Sequence, residues 1–194
     1  MSEATSSSSK KQRHTKRASG DIQKGSQEAQ KFIMAAFGAA FDGDVEELGL
    51  LLSPSKMIGE DQIQDIKCYQ DEAGNSILLK CVHGAAARGK EQRSGRFLDC
   101  LSLLLSLGVA PATKDNNSRT ALHWCVLYGR LDLLAFLHQA GCHFLVFDEA
   151  GLSPLHLAIG IQSEKIRNQF IEYFCNFADG EVWLLKEVNE INLF

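Results

Sequence analysis

The residues of this chain whose types and spacing could do chemistry are few. Gly84, Gly89 and Lys90 come close to the glycine-rich loop that cradles phosphate groups in nucleotide-binding proteins. That loop needs a serine or threonine after the lysine to hold Mg²⁺, and Glu91 stands there instead. The segment before it also has the periodicity of a helix, whereas the motif requires a preceding strand. We therefore predict no nucleotide site.

Histidine and cysteine side chains are the remaining candidates, because they bind zinc and serve as catalytic bases and nucleophiles. His123 lies two residues before Cys125, and Cys142 directly precedes His143. Neither pair has the CxxC or HxxxH spacing from which zinc ligands usually come. His123 and Cys125 each also fit a structural position in a repeat described below. We predict no metal, no cofactor and no catalytic residue.

Charge is distributed unevenly along the chain. Residues 1–31 carry seven Lys and Arg against three Asp and Glu, whereas the remaining residues carry thirteen against twenty-one. Residues 1–27 are rich in Ser, Lys and Gln and contain no aromatic residue, so we predict a disordered basic tail. The basic run at 10–17 fits a solvated tail, a nuclear-import signal or a contact with an acidic surface. Because the rest is acidic, we do not expect it to bind nucleic acid.

Composition and cysteine usage favour a folded intracellular protein. The hydrophobic content of 45% allows a core, and no apolar run approaches the roughly 20 residues that span a bilayer. The basic N-terminus lacks the apolar stretch of a secretory signal. The six cysteines are scattered without CxxC pairs, which favours free thiols in a reducing compartment. We expect a monomer in the cytoplasm, the nucleus or both, without a small-molecule substrate.

Two segments of the chain match each other at a spacing of 33 residues. The matching residues are Asp115, Thr120, Leu122, His123 and Cys125 in the first segment, and Asp148, Ser153, Leu155, His156 and Ala158 in the second. A fixed spacing of this size is typical of stacked repeats. Such repeats bury apolar faces against their neighbours and present an open surface to partners, so the question becomes which partner and not which reaction.

Helical hairpins are predicted within the repeats. Gly43 and Gly129 each separate two segments of helical periodicity, which indicates two short helices joined at a glycine. A further copy, at 71–114, has 11 extra residues between its helices, and we place this insertion in a polar loop at 88–96. A second insertion is expected at about 53–69. The predicted units are therefore about 30–52, 71–114, 115–147 and 148–178.

These residues resemble the ankyrin repeat, whose pattern is D-x-x-G-x-T-P-L-H-x-A-A-x-x-G. The resemblance implies an all-α solenoid of stacked helix-turn-helix repeats with β-hairpin-like loops over residues 28–178, followed by a capping segment at 179–194. Glycines of the pattern suit a positive φ, and Ser118 replaces one of them, which implies a strained turn. Leu79 replaces the histidine of one repeat. Residues 161–163 lack the glycine that closes a helix, so we expect the last helix to be shifted or irregular.

The resemblance implies a non-enzymatic protein–protein interaction module, an adaptor or scaffold that binds through the concave face of its repeats. Mapped through the pattern, the partner-binding residues are Lys114, Asn116, Asn117, Arg119, Leu127, Tyr128, Glu149, Leu152 and Ile161. Arg119 and Tyr128 are the strongest of these by residue type. Two alternatives stay open: an IκB-like inhibitor of a transcription factor, although its D-S-G-x-x-S degron is absent, and a regulatory segment of a larger enzyme or channel.

Overall fold

The computed structural model describes residues 27, 29–53, 60–88 and 94–177 of the chain. The predicted tail at 1–27 and the predicted cap at 179–194 lie outside these ranges, apart from residue 27, which is helical. Within the described ranges, regular secondary structure consists of helices and one isolated antiparallel bridge between Gln70 and Ser76. The predicted all-α class is confirmed for this part of the chain.

Nine helices are found in the described ranges. They are α1 (29–42), α2 (Val45–Leu51), α3 (Glu60–Cys68), α4 (Ile77–Ala87), α5 (Ser94–Ser106), α6 (Ala121–Leu127), α7 (Leu131–Gln139), α8 (Pro154–Ile159) and α9 (Glu164–Phe177). α4, α6 and α8 pack side by side, and α5 packs between α2 and α7. α4, α6 and α8 also pack on α5, α7 and α9, respectively. The chain is therefore a stack of helical hairpins.

The first hairpin joins this stack through a close contact between backbones. The Phe41 backbone of α1 lies directly against Gly84 of α4. This contact places α1 with α4, α6 and α8 in an inner row, whereas α2, α5, α7 and α9 form an outer row. Gly43 and Gly129 end α1 and α6 with φ of 68° and 63°, so both predicted helix junctions are confirmed.

Three loops precede inner-row helices and share one hydrogen-bond pattern. In the loop at 148–152, the backbone N–H of Asp148 donates to the carbonyl of Leu152 at 3.0 Å. Asp148 Oδ1 accepts from the backbone N–H groups of Ala150 and Leu152, both at 2.9 Å. The carboxylate thus satisfies backbone donors that the tight turn leaves unpaired. The equivalent bonds form around Asp71 and Asp115, so all three loops present the same backbone shape.

A residue with positive φ closes each of these loops. Gly74 and Gly151 have φ of 79° and 75°, as predicted. Ser118 occupies the same position with φ of 59°, and it is the one non-glycine residue with positive φ among the described residues. A side chain in this region costs roughly 1 kcal/mol, so the predicted strain at Ser118 is confirmed.

Asp71 carries more hydrogen bonds than its turn needs. Its Oδ2 accepts from Nζ of Lys80 at 2.7 Å and from Nδ2 of Asn75 at 3.1 Å. Burial raises the pKa of this carboxyl, but the hydrogen bonds from Lys80 and Asn75 outweigh burial and hold the pKa at about 2, below the ordinary 3.8. A carboxyl with a depressed folded-state pKa stabilises the fold above pH 4, and this contribution disappears as the pH falls towards 2.

We predict that Asp71→Asn lowers the free energy of unfolding at pH 7 by roughly 1 kcal/mol, the size of one charge-assisted hydrogen bond at a partly exposed site. The amide oxygen keeps the acceptor that the turn requires, so the change isolates the charge. Urea unfolding of both proteins at pH 7 and pH 2.5 measures the effect. The difference between them should shrink at pH 2.5, and an equal difference at both pH values would show that the charge contributes nothing.

Histidine side chains tie the start of α6 and α8, as the repeat pattern predicts. The backbone N–H of Thr120 donates to Nδ1 of His123 at 3.1 Å, and that of Ser153 donates to Nδ1 of His156 at 3.2 Å. Nε2 of buried His123 then donates to the carbonyl of Leu152 in the next repeat, at 3.1 Å. Burial lowers the pKa of His123, which keeps the ring neutral as this arrangement requires. His123 is thus a structural residue.

The insertion predicted as a loop at 88–96 is only partly a loop. α4 has 11 residues against 7 in α6, and α5 has 13 against 9 in α7. Most of the inserted residues therefore lengthen the two helices, and residues 94–96 belong to α5. The segment at 53–69 contains α3, whose buried Ile63 and Ile66 anchor it to the stack.

The prediction of a shifted or irregular last helix is wrong. α9 begins 33 residues after α7, in register with the other repeats, and it is a regular helix of 14 residues. Gly160 caps α8, so the inner helix ends without a glycine at 161–163. Buried Phe174 stands 33 residues after Gly141, the residue that follows α7. Without a glycine at that position, α9 continues for another turn.

Candidate functional site

The nine predicted partner-binding residues lie on the loops and inner-row helix ends. Seven of them are exposed: Lys114, Asn116, Asn117, Leu127, Tyr128, Glu149 and Leu152. Arg119 is half-buried, and half-buried Ile161 packs against the core. We call the side of the stack formed by the three loops and the inner-row helices the inner-row surface. The exposed fractions of Leu127 and Tyr128, 44% and 37%, are large for apolar residues in a packed stack.

An aromatic cluster of His83, Trp124 and Tyr128 lies at the middle of the inner-row surface. The rings of Trp124 and Tyr128 are stacked, with centroids 5.5 Å apart and an interplanar angle of 26°. His83 meets both rings edge-on, at 4.8 Å from Trp124 and 5.7 Å from Tyr128. His83 comes from α4 and the other two from α6, so the aromatic cluster joins two repeats.

Hydrogen bonds fix the orientation of the aromatic cluster. Nε2 of His83 lies 3.1 Å from Oδ1 of Asn75, which can only accept, so Nε2 carries the proton and donates. Nδ1 then accepts from the hydroxyl of Tyr128 at 2.8 Å. Burial lowers the pKa of His83, and the charge of Lys80 lowers it further, in agreement with a neutral ring. Tyr128 therefore presents its ring to solvent in one defined position.

Trp124 was not among the predicted residues, yet it has the most contacts with charged groups. Its Nε1 donates to Oδ2 of Asp115 at 2.9 Å, and the guanidinium of Arg119 lies 5.6 Å from its ring centroid. The repeat pattern allows any residue at this position. A tryptophan at a variable position of a repeat surface is a usable signal, because tryptophan is enriched where partners bind.

Arg119 is less available than its residue type suggests. Its Nε donates to Oδ2 of Asp148 at 3.1 Å. Burial raises the pKa of Asp148, but hydrogen bonds from the Leu152 backbone and from Arg119 lower it more, so the carboxyl stays ionised. Asn116 is also engaged, since its Nδ2 donates to the carbonyl of Glu72 in the preceding loop at 2.8 Å. Both residues connect neighbouring repeats.

The residues first considered for catalysis or ligand binding have structural positions. Gly84 lies inside α4, and Gly89, Lys90 and Glu91 lie outside the described residues. Cys125 is fully buried, and burial raises the pKa of its thiol. Within the part of the chain that the structure describes, no group of three or more His, Cys, Asp or Glu comes together as metal ligands would. The described helices include none that is both long and apolar enough to cross a bilayer.

Comparisons with known proteins agree with the repeat architecture. A family model described as ankyrin repeats in three copies matches residues 82–181, which begin within α4 and include the aromatic cluster. Inversin of Canis lupus familiaris is 29% identical over 144 residues, which cover 74% of this chain and 11% of that protein. Inversin of Gallus gallus is 28% identical over 144 residues, with the same coverage. The chain thus spans about a ninth of the length of these curated relatives.

Proposed function

Because the chain belongs to the ankyrin-repeat family, we propose that it is a non-enzymatic interaction module, an adaptor or scaffold that binds a partner protein. Ankyrin repeats are protein-interaction modules. We place the binding site on the inner-row surface, centred on the aromatic cluster. The single observation that carries this placement is the exposure of Tyr128 and Leu127 beside rings that are already held in position.

The aromatic cluster has the properties of a binding hot spot. Its rings are amphipathic, lie near the centre of the described inner-row surface and are oriented by hydrogen bonds before any partner arrives. Side chains that are ordered in advance lose less conformational entropy on binding, so more of the contact energy appears as affinity. Truncation of a central aromatic residue of this kind typically costs about 2 kcal/mol or more of binding free energy.

The hydrogen bonds of the histidines favour binding over catalysis. His83 and His123 each use both ring nitrogens in contacts within the stack. A general base needs a nitrogen that faces a substrate proton, and neither ring offers one. The proposal includes a cytoplasmic or nuclear location, supported by six free cysteines, which an oxidising compartment would tend to pair. It also includes a monomeric state.

Quantitative co-precipitation from lysate of the source cells tests the proposed function. We expect the variant Arg119→Glu/Tyr128→Ala to retain less than a tenth of the specific partner that the wild type captures. The matched control is Leu50→Ser, which removes an apolar side chain that is 76% exposed on outer-row helix α2, and it should capture as much as the wild type. Circular dichroism must show that all three proteins are folded.

Two outcomes would contradict this proposal. Equal capture by the wild type and by Arg119→Glu/Tyr128→Ala would place the binding site away from the aromatic cluster. Loss of the partner with Leu50→Ser alone would move the site to the outer row.

A further inference from the structure

Equivalent positions of the inner-row surface differ in chemistry from repeat to repeat. Residues 33 positions apart occupy the same place in the third and fourth repeats. The third repeat places Lys114, Arg119, Trp124 and Tyr128 there, and the fourth places Phe147, Leu152, Leu157 and Ile161. The surface therefore changes from cationic and aromatic to wholly apolar within one repeat. We call Phe147, Leu152, Leu157 and Ile161 the apolar patch.

The fold does not require apolar residues at the exposed positions of the apolar patch. Phe147 and Leu152 are 42% and 36% exposed. The positions equivalent to them are taken by Lys114 and Arg119 in the third repeat, within the same loop shape. Two neighbouring large apolar side chains that remain exposed where polar ones fit equally well are typical of an interaction site.

Charge pairing shows which cation borders the apolar patch. Arg119 is paired with Asp148 at 3.1 Å, and Lys80 with Asp71 at 2.7 Å. The hydrogen bond that we find for Lys114 within the described residues runs from Nζ to the carbonyl oxygen of Phe147, at 3.5 Å. Lys114 is exposed and forms no ion pair within this part of the chain. An unneutralised ammonium group therefore lies beside the ring of the apolar patch.

We propose that the partner binds here through an acidic–apolar segment: two large apolar side chains contact Phe147 and Leu152, and a neighbouring carboxylate pairs with Lys114. This inference rests on the proposed function and names the chemistry of the partner. Burial of apolar surface supplies most of the affinity, and the ion pair sets the orientation of the segment. A single surface ion pair makes the binding only weakly dependent on salt.

Selection from a phage-displayed library of random 12-residue peptides on the full chain tests this inference. We expect enriched peptides to share a pair of large apolar residues with an Asp or Glu nearby. A synthetic peptide of that sequence should bind Phe147→Ser/Leu152→Ser at least tenfold more weakly than the wild type. It should bind the control Leu50→Ser normally, and 500 mM salt should weaken it by only about threefold.

A charge exchange tests the role of Lys114 by itself. Lys114→Glu should weaken the acidic peptide by about threefold to tenfold, and replacing the acidic residue of the peptide by Lys should restore binding to this variant. Restoration distinguishes a direct ion pair from general loss of positive charge. Absence of restoration would overturn the assigned carboxylate contact.

The remaining outcomes separate the inference from the proposed function. Peptides that depend on Tyr128 but bind Phe147→Ser/Leu152→Ser normally would overturn the inference and leave the proposed function standing. If Phe147→Ser/Leu152→Ser loses much more thermal stability than Leu50→Ser and no peptide is enriched, another segment of this chain covers the patch. Light scattering that shows a dimer only with Phe147 and Leu152 intact would assign the patch to a second copy. Both results would overturn the inference.

Discussion

Gly84→Ala is expected to destabilise the protein by about 2–3 kcal/mol and to detach the first hairpin from the stack. A Cβ atom on Gly84 would lie 2.6 Å from the carbonyl carbon of Phe41 and closer still to its oxygen. These are backbone atoms of α1, so relief requires a shift of the whole helix and not of one side chain. The cost of that shift exceeds the roughly 1 kcal/mol by which alanine favours helix over glycine.

Hydrogen exchange and chemical unfolding measure the effect of Gly84→Ala. Because each repeat contacts only its neighbours, amides of α1 and α2 should exchange faster while those of α6 to α9 keep their protection. Gly38→Ala on α1 is the matched control, since nothing lies within 4 Å of a Cβ there, and it should stabilise the protein by up to about 1 kcal/mol. Similar changes in both variants would contradict the close backbone contact.

Arg130→Met is expected to cost about 3 kcal/mol of unfolding free energy. The side chain of Arg130 is only 2% exposed, and its Nε and Nη2 donate to the two oxygens of Asp132 at 2.9 and 2.8 Å. Its Nη1 donates to the carbonyl of Ala85, near the end of α4, at 2.5 Å. Methionine fills much of the volume but leaves a carboxylate and a helix-end carbonyl without this partner. Breaking a buried ion pair by removing one member is strongly destabilising.

Arg88→Met is the matched control for this prediction. Arg88 pairs with Asp42, but the two side chains are 35% and 56% exposed, so its loss should cost less than about 1 kcal/mol. Urea unfolding of both variants gives the comparison. If the two substitutions cost the same, the burial of Arg130 contributes nothing and the link between the second and third repeats lies elsewhere.

The parts of the fold that depend on local hydrogen bonds could be predicted from the sequence. Asp148, Ser153 and His156 make their turn and cap contacts within a few residues of one another, so their spacing alone indicates the structure. The glycine positions are legible for the same reason, because a positive φ is a property of one residue. Gly74 and Gly151 follow this rule.

Features that depend on contacts between repeats could not be predicted in this way. Gly84 first suggests a phosphate loop, and its actual role depends on Phe41, 43 residues earlier in the chain. Arg130 follows a glycine at a helix start, where an arginine is ordinarily solvated, and only the Ala85 carbonyl from the neighbouring repeat explains its burial. Trp124 occupies a position at which the repeat pattern carries no preference. Periodicity locates the repeats but does not describe what passes between them.

The central claim is that a partner protein contacts the inner-row surface beside the aromatic cluster. Site-specific photo-crosslinking tests it directly, with a benzophenone amino acid in place of Leu127 on α6 or of Leu50 on α2. The partner recovered by co-precipitation should crosslink from position 127 and not from position 50, and Tyr128→Ala should remove the crosslink at 127. A crosslink from position 50 alone would contradict the claim and assign binding to the outer row.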